Sequence, residues 1–245
     1  MNKKTIKKLI KLVVIAVVLV IAIAGGLSNI ITDVRNEKDN VTQGNATLGN
    51  IPEYSGSPYV QINNNVPDFK ETMLNIGDIE YYSELDSLGR CGVTYANICK
   101  KVMPAEDEER ESISNVIPSG WKQVAYKGVI EGNYLYNRCH LIGYQLAGEN
   151  ANRNNLITGT RYMNTEGMLP FENMVAEYID EHPNNHVIYR VTPIFDGNNL
   201  VASGVQMEAY SVEDNGRGIS FNIYVYNVQP GIVIDYATGE SRLEK

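Results

Sequence analysis

Only one stretch of this chain, residues 163–180, carries a sustained helical period, and strand-like segments lie on both sides of it. Met168, Phe171, Val175 and Tyr178 recur there at spacings of three and four, which makes one face apolar. Pro170 falls early in the stretch, where it either kinks the helix or marks its first turn. Upstream, residues 93–98 and 127–140 have strand character, and the turn signal Glu131-Gly132-Asn133 interrupts the second segment. After the breaker His182-Pro183-Asn184-Asn185, strand patterns return over residues 187–195, 200–210 and 219–228. Asp214-Asn215-Gly216-Arg217-Gly218 is placed to turn a hairpin between the last two. Strands, one central helix and strands again predict an α+β fold on an antiparallel sheet.

The N-terminus follows different rules. Lys3, Lys4, Lys7, Lys8 and Lys11 precede an uncharged apolar run over residues 12–27. Its 16 residues fall just short of the ~17–25 that span a bilayer as a helix. Leu9 and Ile10, with Lys11 reaching toward the headgroups, supply the difference. The basic flank predicts a cytoplasmic end, with everything after Leu27 outside. Ala22-Ile23-Ala24 also suits a cleavage site, so residues 1–27 read as a signal anchor or a signal peptide. The expected location is the cell membrane, single-pass with the domain outside, or secretion if the segment is removed. Residues 28–66 are polar and rich in Asn, Gly, Ser and Pro; they read as a flexible tether, with residues 60–62 a candidate first strand. Residues 67–245 form the expected domain.

Charge bears on the partner. The segment before Ser28 holds five of the 21 basic residues and none of the 29 acidic ones, which leaves the exported part at 16 against 29, a formal charge of −13. Such a balance opposes diffuse attraction to nucleic acid, so any phosphate binding has to come from a local group of arginines. Three cysteines, Cys91, Cys99 and Cys139, cannot all pair. Either Cys91 and Cys99 close a short loop or the thiols are free and buried.

Three histidines are present, and His182 and His186 sit in an evident loop. His140 ends a strand-like segment directly after Asn137-Arg138-Cys139. Asn137-Arg138-Cys139-His140 resembles the Asp-Arg-Gly-His motif of the DNA/RNA non-specific endonucleases, within the ββα-metal (His-Me finger) superfamily. Asn155-Leu156-Ile157-Thr158 is similar to the loop after that motif, and Asn164 and Glu172 lie eight residues apart, as the family's metal-binding Asn and supporting Glu do. Residues 88–243 also resemble surface and secreted DNases of Gram-positive bacteria.

The resemblance implies a ββα-metal nuclease core that hydrolyses DNA, and RNA as well, through Mg²⁺, with Mn²⁺ as a substitute. Its implied catalytic residues are His140 as the base that activates water, Arg138, and Glu172 beyond the metal, with Asn164 as the metal ligand. Arg90 resembles the family's upstream arginine near the scissile group, and Arg138 is the motif's own. By residue type alone Arg190 joins them as substrate-binding, with Arg161 behind it, because a guanidinium forks onto phosphate oxygens. A neutral imidazole suits proton removal near pH 7, and Mg²⁺ takes hard oxygen ligands. Asn137 replaces the motif's acid and Cys139 its glycine, which puts a side chain where backbone passes closely.

Three other readings compete for these residues. A zinc centre on Cys91, Cys99, Cys139 and His140 fails on spacing, since Cys139 and His140 point to opposite faces of a strand. A surface protein that captures DNA without cutting would keep the arginines but need neither Asn164 nor Glu172. A glycosidase needs a catalytic carboxylate pair, and none stands out. No segment offers a set of base-reading side chains, so cleavage without sequence preference is expected.

Overall fold

Six strand segments build the main sheet of this computed structural model, which describes residues 46–245 apart from 71, 72, 75, 76, 78 and 106. Strands β1 (Tyr59–Gln61), β2 (Glu80–Tyr82), β3 (Thr94–Ile98), β6 (Val187–Ile194), β7 (Gly204–Ser211) and β8 (Ser220–Tyr226) pair in the order β1-β8-β7-β6-β3-β2. Every pairing is antiparallel. The expected hairpin joins β7 to β8, and Asn215 and Gly216 both take positive φ at its tip. Asn and Gly tolerate that conformation, which explains the turn's sequence.

Side chains two apart along these strands share a face. Ala96, Ile98, Val187, Tyr189, Val191, Val205, Met207, Ala209, Phe221 and Ile223 make the inner one. A helix, α2 (Leu169–Glu181), lays Phe171, Val175, Tyr178 and Ile179 against it. Each such side chain contributes roughly 1.5–3 kcal/mol when fully buried.

Pro170 lies at the start of α2, directly after a wider π-helical turn, Met163–Met168. Pro170 has no N–H to give a carbonyl one α-turn back. The backbone widens before it, and the Leu169 N–H reaches the Asn164 carbonyl five residues earlier. The proline therefore ends the wide turn and begins the regular helix.

The outer face of the sheet is covered from the N-terminal side. Ala46, Val60 and Ile62 pack with Tyr224 and Tyr226, and Ile62 is fully buried. Asn63, Asn64 and Asn65 all take positive φ, and Asn65 Oδ1 accepts the Asn222 N–H of β8. The stretch expected as a tether over 28–66 therefore needs correction at its C-terminal end. Residues 46–66 include β1, which overlaps the candidate strand at 60–62, and a buried apolar anchor. Residues 28–45, and the expected membrane segment 1–27, lie outside the described residues. Among the described residues no helix is long and apolar enough to cross a membrane.

A second, smaller layer carries the site. β4 (Tyr136–His140) pairs antiparallel with β5 (Leu156–Thr160), and β5 leads into the π turn and α2. A one-turn helix, α1 (Tyr144–Ala147), lies between the two strands in the chain. This strand–strand–helix unit is the ββα arrangement expected from the motif. The strand expected over 127–140 starts only at Tyr136; upstream the chain turns repeatedly, and Ala125 meets Tyr134 through a single bridge. β9 (Ile232–Ile234) and β10 (Ser241–Leu243) form a separate ribbon at the C-terminus.

Candidate active site

His140 ends β4 with its ring largely buried, and both ring nitrogens have partners. Nε2 lies 2.8 Å from the Asn150 carbonyl oxygen. A carbonyl only accepts, so Nε2 carries the hydrogen and Nδ1 keeps a lone pair. That lone pair faces Arg110, whose Nη2 is 3.4 Å away. Burial, with the Arg110 charge adding to it, holds the imidazole below its ordinary range. It is thus mainly neutral at pH 7, the state a base requires.

The loop after β4 is held by Asn155, which is wholly buried. Its Oδ1 accepts the Ile142 N–H, and its Nδ2 donates to the Ile142 carbonyl. Both ends of the amide are therefore consumed, and the segment 142–155 closes into a fixed loop that presents Asn150 to His140. Asn155 is a clip for this loop, its amide held between the two backbone groups of Ile142. Asn173 is engaged elsewhere, accepting from Gln145 Nε2 at 3.0 Å.

His140, Arg138, Asn164 and Glu172 line one cleft of ≈ 660 Å³, together with Arg110 and Trp121. The π turn explains how Asn164 and Glu172 come together. Eight residues of regular helix would rotate the second side chain by about 80° from the first. One inserted residue makes eight behave as seven, and the angle falls to about 20°. Neither side chain has a hydrogen-bond partner among the described residues. Glu172 is buried, and that burial pushes its carboxyl up to about 8, with Arg110 pulling the other way. A buried carboxyl without a donor, lining the same cleft as an amide oxygen without a partner among the described residues, is a hard-oxygen donor set that suits a divalent cation. Gly143 gives this carboxyl its room, since a Cβ there would meet Glu172 Oε2 at 2.8 Å.

Cys139, on the opposite face of β4 from the cleft, is buried in the core. Its side chain occupies space above Gly159 of the paired strand, where a Cβ would strike the thiol. Glycine in β5 thus makes room for the cysteine that stands where the motif has glycine. None of the three cysteines is in a disulfide and all are buried, so the short Cys91–Cys99 loop does not form.

The arginines divide in a way the sequence did not foresee. Arg90 does not line the cleft. Its Nε pairs with Asp86 at 2.7 Å, its Nη1 reaches the Gly197 and Asn199 carbonyls, and its guanidinium lies over Phe195. It ties two loops together. Arg190 sits on the outer face of the sheet, paired at 2.7 Å with Glu208, which is buried, and bonded to the Asp68 carbonyl. It fastens the N-terminal arm. Arg161 lies 3.7 Å from Glu131, away from the cleft. Arg138 does line the cleft, yet its Nε and Nη2 donate to the Val116 and Ser114 carbonyls at 2.5 and 2.9 Å. Its guanidinium also lies 4.3 Å over the Trp121 ring.

Arg110 is the residue that sequence reasoning missed. It is exposed, stacks over Tyr144 at 5.3 Å, and faces both His140 and Glu172. Among the described residues of 99–135 no strand or helix gives it a face. The only local signal was one arginine within the acidic run 106–111. His182 and His186 stay remote, bonded to the Tyr178 carbonyl and to Glu213.

A model of the DNA/RNA non-specific endonuclease family matches residues 70–213. A deoxyribonuclease of Streptococcus dysgalactiae subsp. equisimilis is 31% identical over 117 residues, covering 46% of this chain but only 35% of its own length. Among solved structures, NucA from Streptococcus agalactiae with magnesium ion bound superposes with a TM-score of 0.68 at 27% identity, over 80% of this chain and 92% of that one. The Sda1 nuclease with bound zinc ion gives 0.60 at 30% identity, over 68% and 81%.

Proposed function

Because the chain belongs to the DNA/RNA non-specific endonuclease family, we propose that it is a divalent-metal-dependent endonuclease that cuts DNA, and RNA, without reading sequence. The observation that carries this reading is the His140 Nδ1 lone pair, turned into the same cleft as the unpaired Asn164 amide and the buried Glu172 carboxyl. Asn150 holds the imidazole tautomer. His140 Nδ1 takes a proton from water as that water's oxygen bonds to phosphorus; the bond to the 3′ oxygen breaks, and solvent protonates the leaving oxygen. Arg110 now occupies that lone pair, so it must swing aside, and the scissile phosphate is the charge within its reach. It takes the clamping role that the resemblance implied for Arg90.

Asn164 Oδ1 would hold the cation directly, with Glu172 ordering its surroundings. When bound, the cation neutralises charge on the phosphoryl and leaving oxygens. We assign Mg²⁺, on the hardness of these donors and its presence in the NucA relative; Mn²⁺ is the expected substitute. The outside location rests on the lysine-flanked apolar run at the N-terminus.

The test is incubation of the purified protein with supercoiled plasmid and with single-stranded RNA, in Mg²⁺ and in EDTA. Conversion of both substrates in Mg²⁺ alone supports the reading. Retention of DNA without cleavage would instead mark a capture protein, and cuts confined to one short motif would overturn non-specificity.

A further inference from the structure

Arg138 is an odd phosphate clamp. Two of its donor edges are consumed by the carbonyls of Ser114 and Val116, and one face of the guanidinium lies on Trp121. What remains to it is the Nη1 donors, one proton of Nη2, and the flat face turned away from Trp121. Trp121 is the chain's only tryptophan, and it is half-buried in the wall of the same cleft. It rests on the apolar cluster around Leu135 and Tyr136, its ring 6.3 Å from that of Tyr136.

The pair is held rigidly. Gln123 copies a strand pairing, with Nε2 donating to the Tyr136 carbonyl at 2.5 Å and Oε1 accepting the Tyr136 N–H at 2.9 Å. Ser119 is tied on both sides, by its own hydroxyl to the Leu200 carbonyl and through its carbonyl to Thr158. Packing alone asks for none of this at a cleft wall. Arg138 stands two residues before His140 on β4, about 6.6 Å along the strand. That is the scale of a single nucleotide.

Resting on the nuclease reading above, the geometry points to a nucleobase subsite: the Trp121–Arg138 stack holds, face to face, the base of a nucleotide flanking the scissile phosphate. Stacking of this kind accepts every base, since each has a π face, and it needs the base to be unpaired. It also gives Arg138 a role its consumed edges allow, because bases stack on guanidinium planes as they do on aromatic rings.

The experiment uses a short single-stranded DNA in which one nucleotide is abasic, compared with the intact strand, on the wild-type protein in Mg²⁺. Cleavage of one phosphate beside the abasic residue should slow roughly five- to thirty-fold, within the usual worth of base–aromatic stacking. In Trp121→Leu, where Arg138 loses the ring behind it, the difference between the two strands should narrow at that phosphate. A second measurement needs no variant. With EDTA present, an oligothymidylate should quench the emission of Trp121 while a sugar-phosphate strand without bases should not. Equal wild-type cleavage beside the abasic residue would overturn the subsite, as would unquenched emission when a fluorescence-labelled strand shows binding to be saturated. Failure of the nuclease reading looks different: the intact strand would not be cut at all.

Discussion

Glu172→Gln isolates the cost of burying a carboxyl without a partner. In the metal-free protein, burial raises the Glu172 carboxyl from its usual range to about 8. The unfolded chain titrates near its model value of 4.5. Between these values the folded form binds a proton that the unfolded form has lost. Stability is therefore full below the unfolded value and is lost as pH rises through the folded one. From about pH 5 to about pH 8.5 the loss comes to about 4 kcal/mol, at 1.36 kcal/mol per pKa unit. Glutamine fills nearly the same space and does not titrate. Thermal unfolding in EDTA should thus show wild type falling against Glu172→Gln by roughly 8–15 °C over that range, since about 1 kcal/mol moves a domain of this size by about 2–4 °C. Mg²⁺ should narrow the gap most at high pH, because binding requires the ionised carboxylate. A gap that stays constant with pH would mean the carboxyl is solvated or paired, leaving no unpartnered buried carboxylate for a cation at Asn164 and Glu172.

His140→Ala should lower plasmid cleavage by about 10²–10⁴-fold while the protein still folds, as loss of a general base does; retention of most activity would move the base elsewhere. Arg110→Ala should cost about 10²–10³-fold in kcat, the usual effect of losing one donor to developing charge. It should also shift the acid limb of the pH–rate profile upward, since the Arg110 charge helps to hold the His140 imidazole low. Asn164→Ala should raise the Mg²⁺ concentration needed for half-maximal rate, read by metal titration at fixed substrate. Arg90→Ala should lower the melting temperature while leaving kcat/KM per folded molecule alone, because that guanidinium joins loops and does not line the cleft.

Much of this protein is legible in its sequence. Spacings of three and four put Phe171, Val175 and Tyr178 on the buried face of one helix, and alternation with turn residues set the antiparallel hairpin around Asn215 and Gly216. His140 could be singled out because its position in a strand and its neighbours in the chain are both local facts. The meeting of Asn164 and Glu172 was legible only as a spacing; the inserted residue before Pro170 is what turns the two toward one cleft. Elsewhere local pattern was not enough. Periodicity states which face a side chain takes but not what stands opposite. Arg190 faces outward on β6 as any surface arginine would, and only the fold brings Glu208 and Asp68 to it. Arg90 is spent in the same way on carbonyls more than a hundred residues along the chain. Arg110 lies in a segment with no period to read, and it reaches the site because the fold places His140 and Tyr144 beside it. The apolar alternation at Val60 and Ile62 marked a strand, yet only the fold supplies Tyr224 and Tyr226 of β8 for those two side chains to cover. Chemistry and local direction are encoded within a few residues of each side chain, whereas a partner from a distant segment exists only once the sheet has closed.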